Sequence, residues 1–149
     1  MKLISHRGNL SGPEPLNENR IPFIQAAIDK GYDVEIDVRL LDRLYLGHDA
    51  PDYPVDLSWL IDRKDRLWVH TKNFAAMSFL IDYDLRVFYH QHEKHTVIGN
   101  TKNIWSHDIE EASEKSVIPL ISMDDVSRNR GIKTRFHGVC SDYIEGFKP

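Results

Sequence analysis

A single cysteine, Cys140, stands among the 149 residues, which excludes an internal disulfide and any metal site built on a cysteine cluster. It lies in an apolar stretch, and a buried small side chain is the expected role. No apolar run approaches the roughly 18 to 20 residues of a membrane-spanning helix. The opening Met1-Lys2-Leu3-Ile4-Ser5-His6-Arg7-Gly8 turns polar too soon for the apolar region of a signal peptide, so the expectation is a cytoplasmic protein without a membrane span. An excess of basic residues is also lacking. With 19 Lys+Arg against 23 Asp+Glu the net charge is −4, whereas a nucleic-acid binder normally presents a basic surface, so no nucleic-acid partner is expected. Repeats, low-complexity tracts and Ser/Pro linkers are missing, and the Pro-rich Gly12-Pro13-Glu14-Pro15 falls too early to separate two domains. The composition, 41% hydrophobic and 28% charged, is that of a globular chain, and its length suits one domain over residues 1–149.

What is present is a recurrence of short apolar runs, several alternating with stretches of helical period, the pattern of an α/β fold around a largely parallel sheet. Strands are predicted over Lys2–Ser5, Asp33–Val38, Leu44–Gly47, Leu67–Val69, Arg86–Tyr89, Asn103–Ser106, Val117–Ile121 and Gly138–Ser141. A helix is predicted over Ile21–Lys30, with Asn19 as cap, Pro22 in the first turn and Gly31 to end it. A second runs over Phe74–Asp82, with Phe74, Met77, Leu80 and Ile81 spaced to face the core; shorter ones are predicted at Leu57–Asp62, Asp108–Lys115 and Asp124–Arg130. A full βα barrel takes about 250 residues, so a barrel here is stripped down, with short or missing helices. An open doubly wound sheet is the competing architecture.

His6-Arg7, Glu35 with Asp37, His70, His90 and His107 all fall within or just after the carboxyl ends of predicted strands, where ligand sites of barrels and open α/β sheets are built. In Glu35-Ile36-Asp37 the two acids point to one face, and Val34, Ile36 and Val38 make the other face apolar. Carboxylates so placed call for a positive partner: a divalent cation such as Mg²⁺ or Ca²⁺, or a lysine or arginine. A solvated strand face or a structural ion pair is the plainer alternative. After the first strand, Arg7 can give a phosphate two parallel hydrogen bonds and Gly8 lets the chain pass close to a ligand; a surface histidine beside a solvated arginine is the other reading. His48, before Asp49, can act as acid or base near neutral pH or be an ordinary turn residue. His90, His92 and His95 form a cluster that a polar loop also explains, Trp68 and Trp105 read as core aromatics, and His137 precedes the last strand, at the far end.

In order, His6-Arg7-Gly8, Glu18-Asn19, Ala26-Ala27 with Gly31, Glu35-Ile36-Asp37-Val38 and His48-Asp49 resemble the glycerophosphodiester phosphodiesterase family, whose members are metal-dependent and built on the phospholipase-C-like phosphodiesterase barrel. Lys72 looks like the lysine of that family's Glu-x-Lys strand, and Gly138–Tyr143 is similar to its closing strand. The resemblance implies a shortened member acting on a small phosphodiester, with His6 and His48 as the acid/base pair and Arg7, Lys72 and Glu18 on the substrate side. It implies a metal on Glu35 and Asp37, with His70 standing where the family has a third acidic ligand. An imidazole there suits Mn²⁺ better than Mg²⁺ or Ca²⁺. The expected outcome is hydrolysis, or a cyclic phosphate where a neighbouring substrate hydroxyl attacks. A phosphate-ester binding module without turnover is the alternative.

Overall fold

The computed structural model describes residues 1–129, 131–132 and 135–148. Ten strands form one sheet: β1 (Lys2–His6), β2 (Asp33–Leu40), β3 (Leu44–Leu46), β4 (Tyr53–Pro54), β5 (Leu67–Thr71), β6 (Arg86–Phe88), β7 (His95–Val97), β8 (Ile104–Ser106), β9 (Ser116–Pro119) and β10 (Gly138–Ser141). Among the described residues four helices accompany them, α1 (Ile21–Asp29), α2 (Leu57–Ile61), α3 (Phe74–Leu80) and α4 (Met123–Asn129), with a 3₁₀ turn over Ile144–Phe147. Arg130, where the fifth predicted helix was to end, lies outside the described residues.

Seven strands pair in parallel, in the order β6-β5-β2-β1-β10-β9-β8. Chain order is kept around the sheet and the last strand lies beside the first, an arrangement a doubly wound sheet does not have. The rest is antiparallel: β3 and β4 add to the free end of β2, and β7 adds to β8. Beyond β7, Gly99 bridges back to Val87 of β6.

Alternation along the strands separates two apolar layers. Val34, Ile36 and Val38 of β2 point outward and pack with Ile24 and Ala27 of α1, Leu60 of α2 and Leu80 of α3. On the inner face Ile4, Trp68, Phe88, Trp105, Val117 and Cys140 fill the curl of the sheet, which agrees with the core roles expected for both tryptophans and the cysteine. A third cluster, with Ile118 and Val139 at its centre, covers β9 and β10 with Val126 of α4 and Ile144 and Phe147 of the last turn. The first three inward positions of β2, Asp33, Glu35 and Asp37, are acidic. Its first acid, Asp33, is buried at the amino end, where its carboxylate accepts the Trp68 indole N–H (3.1 Å) and meets Lys2 and Arg66, each at 3.2 Å.

Three expectations are corrected. Arg20, not Asn19, is the N-cap of α1, because the Asn19 side chain is drawn inward. The Asp108–Lys115 segment is a series of turns: the Asp108 carboxylate accepts the N–H groups of Glu110 and Glu111, and Ser116 Oγ accepts that of Ser113, so local side chains take backbone groups a helix would need. On α3 the buried residues are Ala76 and Leu80; Phe74 and Ile81 are exposed. Asn73 sets that rotation by accepting the Ala76 N–H (3.0 Å) while exchanging hydrogen bonds with the backbone of Leu40.

Candidate active site

Register assembles the polar residues. Pairing of β1 with β2 sets His6 beside Glu35, and pairing of β2 with β5 sets Asp37 beside His70, so all four share the inner face just above the apolar layer. Past β1 the backbone turns through two positive φ angles, Arg7 at 56° and Gly8 at 97°. A Cβ on Gly8 would lie 2.5 Å from the Phe23 ring, so the turn needs glycine. It carries Arg7 back over the sheet, with Nε 2.9 Å from Asp37 Oδ2 and Nη1 donating to Glu18 Oε2 at 3.1 Å.

These side chains line one cleft of about 710 Å³ at the carboxyl ends of the strands. His6, Arg7, Glu18, Glu35, His70 and Lys72 all border it, and Asp37 lies fully buried beneath. Lys72 Nζ is 3.7 Å from Asp37 Oδ1. His48 borders the same cleft but stands on its rim, 40% exposed, with Nδ1 2.7 Å from Asp49 Oδ1. The Arg39 guanidinium, which donates to the carbonyls of Gly47 and His48, fixes that rim. His90 also faces the cleft: its ring stacks on His70 (4.5 Å between centroids) and meets His107 edge-on at 4.8 Å. His92 borders a neighbouring hollow, and His95 is turned to Ser106 and Glu111. His137 is packed against Trp68 and borders none of these pockets.

Three polar partners went unassigned in the sequence. Asp142, just past β10, accepts a hydrogen bond from His6 Nδ1 at 2.7 Å. Asn9, fully buried, donates to that same Asp142 oxygen (2.7 Å) and to Glu18 Oε1 (2.9 Å), so it ties the partner of His6 to the partner of Arg7. Asn19 donates to Asp37 Oδ2 (2.9 Å) and accepts the Asp37 N–H (3.0 Å). The Glu18-Asn19 motif and the place of Asp142 after a strand, within Gly138–Tyr143, were the available signals; Asn9 carried none.

Electrostatics divides the carboxylates. Burial, reinforced by the charge of Asp37, pushes Glu35 up to about 7. Burial would raise Asp37 as well, but His70, Arg7 and Asn19 outweigh it and hold this acid well below the usual carboxylate range. His6 is raised: burial works against its charge, and the hydrogen bond to Asp142 and the charge of Glu35 more than compensate. His70 is lowered by burial, which favours the neutral ring that can bind a metal. Glu35, Asp37 and His70 each offer one ligand atom, all within 4.8 Å of one another. Glu35 Oε2 and Asp37 Oδ1 are buried without a hydrogen-bond partner, so the donor set fits a divalent cation.

No protein-family model and no curated protein matches the sequence. Among solved structures, the chain is similar to glycerophosphodiester phosphodiesterase from Agrobacterium tumefaciens str. C58, with a TM-score of 0.59 over 98% of this chain and 97% of that one, at 16% identity. A likeness at that identity is one of fold, and the fold is that of the enzyme family which the sequence motifs resemble.

Proposed function

We propose that this chain is a metal-dependent phosphodiesterase acting on a small phosphodiester, on a single-domain barrel closed where Gly99 bridges to β6. The observation that carries it is the convergence of Glu35, Asp37 and His70 with Arg7, Lys72 and the His6–Asp142 pair in one cleft of a phosphodiesterase-like fold. Glu35, Asp37 and His70 would hold the ion, which supplies charge neutralisation to phosphoryl oxygens when bound; an imidazole in the set favours Mn²⁺ over Mg²⁺ or Ca²⁺. Arg7 and Lys72 hold the diester's negative charge. His6, kept protonated by Asp142 and Glu35, is the acid for the departing alkoxide, and His48, aligned by Asp49, takes the proton of the attacking hydroxyl. Water as attacker gives hydrolysis; a hydroxyl of the substrate gives a cyclic phosphate and a lyase.

Bis(p-nitrophenyl) phosphate with Mn²⁺, Mg²⁺, Ca²⁺ or EDTA tests this: release of p-nitrophenolate is expected with metal and not with EDTA. Metal should also raise the melting temperature, and Glu35→Gln or Asp37→Asn should abolish that rise, because an ion bound only to the folded chain stabilises it by mass action. A second reading, a phosphate-binding module without turnover, draws on the Arg7–Asp37 ion pair, which places a cation of the chain itself against the carboxylates. It predicts phosphate-ester binding with no metal-dependent melting shift and no p-nitrophenolate.

A further inference from the structure

The cleft is divided by charge. Among the described residues, every carboxylate, guanidinium or ammonium bordering it stands on or just after β1, β2, β3, β5 or β10: Arg7, Glu18, Glu35, Asp49, Lys72 and Asp142. The lining contributed by β8, the residue just after it and the end of β9 is of another kind, namely Trp105, His107, Pro119 and Ile121. The two halves meet at a run of rings. Trp105 stacks on Phe88 (4.5 Å), Phe88 on His70 (5.0 Å) and His70 on His90 (4.5 Å), with His107 edge-on to His90. The neutral wall therefore starts at His70 itself, next to Glu35 and Asp37. Four acids occur in the β8–β9 loop, Asp108, Glu110, Glu111 and Glu114, and none borders the cleft; Asp108 is held by Lys94 at 2.7 Å and Glu111 by His95 at 2.9 Å.

We infer that the wall of Trp105, His107, Pro119 and Ile121 is a subsite for one alcohol arm of the phosphodiester, and that this arm is uncharged with a flat or aliphatic face. The inference rests on the phosphodiesterase reading, because it takes the phosphoryl group to lie at Glu35, Asp37 and His70. A phosphodiester bound there extends an arm over each half of the cleft. Among the described residues, the lining met by the arm over β8 and β9 offers ring faces and aliphatic carbon, with no carboxylate to pair an ammonium and no cation to pair an acid. A charged head placed there loses its water without gaining a partner, while an apolar arm gains by the same desolvation.

Two esters that share p-nitrophenol as leaving group test the point: p-nitrophenyl phosphorylcholine and its carbon isostere, p-nitrophenyl 3,3-dimethylbutyl phosphate, which differ by one positive charge. With Mn²⁺ the protein should favour the neutral isostere by about tenfold in kcat/KM, the size expected when an ammonium is desolvated without a counter-charge. Ile121→Glu and, separately, His107→Glu introduce a carboxylate on this wall and should shift the ratio towards the choline ester by about tenfold. A ratio near one that neither variant moves overturns the subsite while leaving the phosphodiesterase reading standing. Failure to cleave either ester, or bis(p-nitrophenyl) phosphate, overturns both together.

Discussion

Replacing Asp142 with Asn would keep a hydrogen-bonding group beside His6 Nδ1 and remove one of the charges that hold the imidazole protonated. The raised His6 pKa means that its contribution to stability is complete below the ordinary value of 6.5 and is lost as pH rises through the folded-state value. In Asp142→Asn that folded-state value falls. The basic limb of the pH–rate profile should therefore move to lower pH, and an imidazole titration followed by NMR should move with it. Asn9→Ala removes the donor shared by Glu18 and Asp142 and should cost about 1–3 kcal/mol, the range for leaving buried groups unpaired, read from urea unfolding. That Glu35 and Asp37 share one face was legible from local alternation alone. Asn9 and Asp142 were not, since their bond joins residues 133 positions apart and a linear pattern carries no trace of it.

At the level of elements, strand positions followed from apolar runs, whereas helix faces and turns depended on single polar side chains. Asn73 is the clearest case. Its side chain caps α3 and also clips the helix to Leu40 at the end of β2, so Asn73→Ala should cost about 1–2 kcal/mol in thermal or urea unfolding, at the upper part of the range for a lost cap. Phe74, three-quarters exposed, should accept Glu with a change within about 0.5 kcal/mol. The spacing of Phe74, Met77, Leu80 and Ile81 suggested a core face; Leu80 and Met77 do pack on the core, but in a helix of seven residues the docking of one end leaves Phe74 and Ile81 exposed. The same applies to residues 108–115, where Asp108, Ser113 and Ser116 bind nearby backbone and hold turns in place of a helix. β7 escaped notice because His95–Val97 is mostly exposed and shows no apolar run.

Across the whole molecule the two ends of the sheet do different work. At the amino end, Asp33 gathers Lys2, Arg66 and the Trp68 indole into a closed contact; at the carboxyl end Glu35 of the same strand borders the cleft and Asp37 lies buried beneath it. That the site lies at the carboxyl ends was legible from the order of reactive residues along the chain, because the topology allows few other places. The barrel-like strand order, expected from the family resemblance, could not be read from local pattern, since it depends on β10 returning to β1 across nearly the full length of the chain.

The spacing of Asp33, Glu35 and Asp37 gives β2 a phase, and the molecule is committed to it. One residue inserted between Asp33 and Glu35 would turn the two later acids into the layer now held by Ile24, Ala27 and Leu60, and would swing Ile36 and Val38 towards His6 and His70. Such a chain should fail to yield folded protein, whereas one residue added in the exposed loop at 91–93 should leave the melting temperature nearly unchanged. Length can thus vary between the strands, but along β2 the chain is read strictly in twos.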